Sequence, residues 1–240
     1  MSGPMEQFVV KPIIPIKISD IDVSFTNSSL FMVLAVICST LLLSICIRKR
    51  SLVPNKSQSI AELLYEFIGG LIDNNIGKDG RKYFSVIFTI FTFVAFGNFL
   101  GLMPYSFTFT SHLAAVGALS LLALLFNICV GIKKKKWGYL RVFLPKGIPL
   151  GIAPLIIPIE MISLISKPFS LTVRLVANMT VGHIMLKIIA SFVIALGIGG
   201  LVPVLFNCAI ITFEIFVALL QAFIYTVLSC IYLSDAIHDH

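Results

Sequence analysis

Arg174 carries the clearest chemistry in this chain. It lies in SKPFSLTVRLVANMTVGHIMLKIIASFVIALGIGG, one of the most apolar stretches of an apolar sequence. A guanidinium stays protonated at any working pH. At the centre of a membrane helix such a cation costs roughly 2.5–3.5 kcal/mol on insertion scales. It therefore either snorkels to the headgroups or serves a partner or a pathway. Glu160, Lys167 and Arg174 are spaced by seven and share one helical stripe, with Ser170 and Asn178 flanking it. At 1.5 Å per residue Glu160 sits about 21 Å from Arg174 along the axis, and His183 about 14 Å beyond it on roughly the opposite face. A polar stripe of this kind suits a water-lined groove or a protein partner better than lipid.

A second polar set lies further along the chain. If the last two apolar segments form an antiparallel hairpin, residues facing each other have a nearly constant sum of numbers. Arg174 with Gln221 and His183 with Glu214 give sums that agree to within two. One register thus pairs both, a chance match being the alternative. It makes His183 and Glu214 a candidate titratable pair able to carry a proton.

The elements that must hold these residues are membrane helices. The chain of 240 residues is 58% hydrophobic and 12% charged, with a mean hydropathy of +1.02, which sets it outside soluble domains. The net charge of +7 reads as loop bias, because the basic residues sit in short linkers without aromatic interleaving; no nucleic-acid surface is expected. The expected fold is an all-α integral membrane protein. It has three upright transmembrane helices, one interfacial amphipathic helix and a C-terminal hairpin of two long tilted helices.

Leu30–Ile47, Phe84–Met103 and Leu113–Ile132 each approach the ~20 residues that a bilayer core requires. The first ends in Arg48-Lys49-Arg50 without a small-residue cleavage site, so it reads as a retained span. Arg48-Lys49-Arg50 with Lys56, Arg81-Lys82, and Lys133 to Lys136 with Arg141 and Lys146 all fall on the cytoplasmic or matrix side by the positive-inside rule. Residues 1–29 and the Pro104–His112 loop then lie outside. Between the first two spans, Ile60, Leu63, Leu64, Phe67, Leu71, Ile72 and Ile76 recur at helical spacing, and Ser59 with Glu62 forms a candidate capping box. An amphipathic helix over 57–77 at the inner interface is expected. The transmembrane pair occupies 84–132.

Pro145, Pro149, Pro154 and Pro158 break the chain on entering the last region, 150–236. It holds two apolar segments parted by Gly197–Pro203. As helices they would be roughly 60 and 45 Å long, too long to stand upright in a ~30 Å hydrocarbon core. A tilted hairpin is expected, with Pro168 able to kink its first arm.

Other residues carry less. Cys38, Cys46, Cys129, Cys208 and Cys230 lie in apolar runs without a CxxC pair and read as packing residues. Asn98, Asn127, Asn178 and Asn207 read as interhelical hydrogen-bonders. His112 reads as solvated, Lys187 as snorkelling, Trp137 as an interfacial anchor, and His238 and His240 as a solvated tail. No Walker, GxSxG, HExxH or zinc spacing is present, so no cofactor, metal or nucleotide site is expected.

ISLISKPFSLTVRLVANMTVGH (Ile162–His183) closely resembles the signature of subunit a of F-type ATP synthases. GNFLGLMPYSFTFTSHL (Gly97–Leu113), LLQAFIYTVLSCIYL (Leu219–Leu233) and AELLYEF (Ala61–Phe67) extend the likeness over nearly the whole chain after about residue 20. The resemblance implies a non-nucleotide-binding stator subunit that offers two offset proton half-channels to the carboxylates of a c-ring. By position Arg174 matches the stator arginine facing those carboxylates, with Asn178 and Gln221 beside it. Glu160 matches an acid of the half-channel open to the ATP-making side, and Lys167 and Ser170 lie on its stripe. His183 and Glu214 match the opposite half-channel, in an order that some members exchange.

The implied partners are the c-ring, b-type peripheral-stalk subunits, the remaining synthase subunits and lipid. The implied location is a bacterial plasma membrane or a mitochondrial inner membrane. Two rivals stand beside this reading. An independent proton-coupled secondary transporter would use Arg174 as an anion site but would show internal repeats, and none is seen. A membrane scaffold subunit would have no use for Glu160, Arg174, His183 and Glu214 together.

Overall fold

The computed structural model describes residues 9–18, 21–22, 24–48, 51, 53–103, 106–135 and 153–237. Lys49, Arg50, Pro104, Lys136, Trp137, Arg141, Pro145, Lys146, Pro149, His238 and His240 lie outside the described residues.

The body is helical. Among the described residues six α-helices follow in order: α1 (Asn27–Ile47), α2 (Lys56–Asn75), α3 (Phe84–Leu102), α4 (Leu113–Lys135), α5 (Ala153–Leu196) and α6 (Leu201–Ile237). Five helical stretches among the described residues are long and apolar enough to cross a membrane, namely Asn27–Ile47, Lys78–Leu102, Leu113–Lys135, Leu155–Val193 and Leu201–Ile237. Four short strands among the described residues precede them and leave the all-helical class unchanged. β1 (Pro12–Ile14) pairs antiparallel with β4 (Phe25–Thr26), and β2 (Lys17–Ile18) with β3 (Ile21–Asp22). Asn27 ties this segment to α1: its Nδ2 donates to the Val9 carbonyl and its Oδ1 accepts from the Lys11 N–H. Thr26 Oγ1 accepts from the Ser29 N–H and so caps the helix start.

The packing resolves into two units. The first comprises Met1–Ser44, Thr92–Val116 and Arg174–Ala222; the second comprises Ile45–Phe91, Gly117–Val173 and Phe223–His240.

In the first unit Ala35, Phe107 and Phe109 form a core against which Phe31, Met32, Phe93, Phe96, Leu100 and Ala115 pack. The loop after α3 is drawn onto that helix because two glycines make room for it. A Cβ at Gly101 would lie 2.7 Å from Thr108 Cγ2, and one at Gly97 would strike the Phe109 ring. Ser106 and Thr108 both donate to the Gly101 carbonyl, which the end of α3 leaves without an intrahelical partner.

In the second unit α2 departs from the sequence reading. It begins at Lys56, and its Asn55 cap makes no side-chain hydrogen bond. Ser59 is therefore already inside the helix and forms no capping box, and Glu62 instead accepts from Gln58 Nε2 at 2.7 Å. The apolar stripe also splits. Ile68, Ile72 and Ile76 are buried, whereas Ile60, Leu63 and Phe67 are exposed. Gly77 turns the chain at φ 81°, a region that suits glycine. Arg81 then closes a bidentate pair on Asp73, at 3.0 and 2.6 Å. That guanidinium holds the Asp73 carboxyl below its usual range.

α5 runs unbroken through Pro158 and Pro168. Beside Pro168 the Thr172 hydroxyl donates to the Pro168 carbonyl at 2.8 Å and meets Ser120 Oγ of α4 at 2.7 Å. With 44 and 37 residues, α5 and α6 exceed the sequence expectation in length, at about 66 and 55 Å. Between them Gly197–Gly200 forms a short 3-10 turn. Pro203 falls in the first turn of α6, where its missing N–H is harmless.

Candidate functional site

In the first unit α5 has two distinct faces. Leu171 belongs to the second unit; beyond it Leu175 and Met179 are buried at 1% exposure each. Val173 also ends the second unit, and after it Arg174, Ala177 and Val181 are exposed. Arg174 thus projects from the outward face among small apolar side chains. Among the described residues no hydrogen bond or ion pair reaches its guanidinium. Asn178, one turn on, is half-buried.

α6 presents the complementary pattern. Glu214, Ala218, Gln221 and Ala222 are buried at 5, 1, 4 and 0% exposure, at the i, i+4, i+7, i+8 spacing of one helix face. From α3, Asn98 Nδ2 donates to the Ala218 carbonyl at 3.1 Å, so this asparagine joins helices as expected of its type. Asn98 Oδ1, both Glu214 oxygens and Gln221 Oε1 are buried without a hydrogen-bond partner among the described residues. Buried acceptors of this kind are expected to be met by water.

Glu214 packs against Gly182, whose missing side chain is what admits the carboxylate. This contact places Glu214 beside the residue next to His183. His183 itself turns to the loop after α3, where its Nε2 lies 3.1 Å from Thr108 Oγ1. Neither Gly182 nor Thr108 figured among the sequence candidates. A lone glycine beside a histidine in a long helix was the available signal for the first. Nothing local marked the second.

Other residues of this unit depart from the sequence reading. His112 is half-buried rather than solvated. Its ring stacks on Phe107 with centroids 4.9 Å apart, its Nε2 is buried without a partner, and burial lowers its pKa from 6.5. Asn207 Oδ1 is likewise buried without a partner, and Lys187 is half-buried.

In the second unit Glu160 is half-buried and Ser170 exposed on α5. Lys167 Nζ lies 3.9 Å from Asp235 Oδ2 and 5.1 Å above the Tyr232 ring, both on α6. Lys135 of α4 donates to the Asp235 carbonyl at 3.4 Å, and Lys134 reaches Asp79 at 3.4 Å. Lys167 thus has an anchoring contact that the stripe alone did not reveal. Asn127 is buried with its Nδ2 unpartnered. The five cysteines are free: Cys46 and Cys230 buried, Cys38 half-buried, Cys129 and Cys208 exposed.

Comparisons with known proteins complete the picture. Residues 29–234 match the family described as ATP synthase A chain. The chain is 51% identical over 241 residues to the ATP synthase subunit a of Rhodospirillum rubrum, with both chains covered in full. It is 50% identical over 247 residues to that of Paramagnetospirillum magneticum, again with full coverage of both. It is 45% identical over 241 residues to that of Pelagibacter ubique, covering 100% of this chain and 99% of the relative.

Proposed function

The chain belongs to the ATP synthase A chain family, and we propose that it is the stator subunit that passes protons to and from a rotating ring of carboxylate-bearing subunits. The observation that carries this reading is the exposure of Arg174 on an apolar helix face beside Ala177 and Val181. A fixed cation so placed is costly against lipid and is matched by a partner that brings anions within lipid, as a c-ring does.

The mechanism follows from electrostatics. A ring carboxylate facing lipid is protonated, because an unpaired charge there is costly. Beside Arg174 its ionised form is favoured, so its proton leaves. Glu160, with Ser170 and Lys167 on the same helix, lines the exit toward the ATP-making side. Entry from the opposite side runs by His183 and Glu214, with Asn178 and Gln221 near the arginine. The buried, unpartnered oxygens of Glu214 and Gln221 support a hydrated entry. Arg174 lies between the two sets along α5 and repels a proton attempting to pass directly. Only rotation then links entry to exit. At ~100 mV each proton crossing supplies ~2.3 kcal/mol.

α5 and α6 are tilted in this reading, since helices of 44 and 37 residues overrun an upright span. α1, α3 and α4 stand more upright, and α2 lies at the inner interface. Partners are the c-ring, b-type stalk subunits and the remaining synthase subunits, without a bound cofactor or metal. The bacterial relatives favour a bacterial plasma membrane over a mitochondrial inner membrane.

Disulfide cross-linking tests the placement. Single cysteines at Ala177 or Val181, paired with a cysteine one turn from the ring carboxylate, are expected to join the two subunits under mild oxidation. Absence of product at both positions, matching a buried Leu175→Cys control, would remove the ring from this face.

A further inference from the structure

We propose that Thr108 is a positioning residue of the outer proton path, holding the His183 ring through both of its protonation states. The inference rests on the reading of His183 as a pathway residue.

Thr108 is placed by packing. The loop after α3 is seated by Gly97 and Gly101, which leave space for Phe109 and Thr108. Thr108 is 3% exposed. Its Oγ1 lies 3.1 Å from His183 Nε2 and 3.2 Å from the Gly101 carbonyl oxygen. One hydroxyl thus joins the end of α3 to the imidazole on α5.

A hydroxyl is suited to this place because it has one proton to give and two lone pairs to receive with. While Nε2 carries a proton, Thr108 accepts from it and donates its own to the Gly101 carbonyl. When Nε2 is bare, the hydroxyl turns and donates to it instead. Thr108 keeps its proton in both states, so it neither adds to nor subtracts from the protons carried. A side chain that only donates or only accepts would lose the contact in one of the two states. The ring is thereby fixed at the same helical level as the Glu214 carboxylate, which Gly182 admits beside it. The charged or imidazole groups on the elements packed here are Arg174 and Lys187 on α5, Glu214 on α6 and His112 in the loop.

The test uses the whole synthase in liposomes, with the outer face toward the lumen. ATP synthesis after an acid–base jump is recorded against lumen pH for Thr108→Val, Thr108→Ser, Thr110→Val and His183→Gln. A hydrogen bond to an ionisable group is worth about a tenfold change. Thr108→Val is therefore expected to slow synthesis about tenfold and to displace its dependence on lumen pH. Thr108→Ser, which keeps the hydroxyl, should restore both. Thr110→Val removes a buried hydroxyl without a partner two residues away and should behave as the unmodified enzyme. A rate for Thr108→Val within about twofold of the unmodified enzyme would overturn the inference. So would a serine variant as slow as valine, or Thr110→Val as slow as Thr108→Val. If His183→Gln slows synthesis and Thr108→Val does not, only this inference falls. If His183→Gln changes nothing, the pathway reading of His183 falls and the inference with it.

Discussion

Gly182 and Glu214 meet so closely that the carboxylate occupies the space a Cβ at 182 would need. The acid is buried, and neither of its oxygens has a protein hydrogen-bond partner. The glycine is therefore a spatial requirement of the acid. Gly182→Ala should push Glu214 aside, at the roughly 1–3 kcal/mol typical of overpacking, and slow ATP-driven pumping at least several-fold while the subunit still assembles. Quinacrine quenching in inverted vesicles, with immunodetection of the subunit, checks it. Unchanged pumping would mean that Glu214 has room to move without consequence.

Asn98 holds α3 to α6 through the Ala218 carbonyl while fully buried. Asn98→Leu removes this interhelical hydrogen bond while the Ala218 carbonyl keeps its partner within α6, and a bond of this kind contributes about 0.5–1.5 kcal/mol. The expected result is a lower melting temperature of the detergent-solubilised complex. A melting temperature unchanged by Asn98→Leu would contradict this role.

Lys167 and Asp235 form a partly exposed pair at 3.9 Å, with side-chain exposures of 39% and 35%. Pairs of this kind contribute under about 1 kcal/mol. A double-mutant cycle of Lys167→Ala and Asp235→Ala on thermal stability should give a coupling no larger than that. A larger coupling would mark the pair as a principal anchor between α5 and α6.

Burial lowers the pKa of His112 below 6.5. The folded loop therefore binds fewer protons than the unfolded chain. The stabilisation from neutral His112 is complete above about 6.5 and is lost as pH falls through the lowered folded value. Hydrogen exchange in residues 106–112 should accelerate as pH drops below about 6.5, after correction for the intrinsic pH dependence of exchange. His112→Gln should abolish that acceleration. Exchange of the unmodified loop that is flat across this range would contradict the assignment.

The long helices were legible in the sequence, because hydropathy fixes helix existence. Thr108 was not legible. Its contact with His183 spans 75 residues and depends on two glycines that admit the loop, which no periodicity records. Which residues of the α2 stripe face protein was not legible for a related reason. Near a membrane an apolar residue can face either protein or lipid, so Ile68 and Leu63 look alike until packing separates them. The strands before α1 were missed because strands of two or three residues carry no detectable period.

The central claim is that Arg174 keeps the two proton paths apart. Inverted vesicles carrying Arg174→Ala test it most directly, with ATP-driven acidification and passive proton leak recorded on the same preparation. The account predicts abolished pumping together with a leak raised above that of the unmodified membrane sector. Undiminished pumping with an unchanged leak would contradict it and leave Arg174 a structural residue.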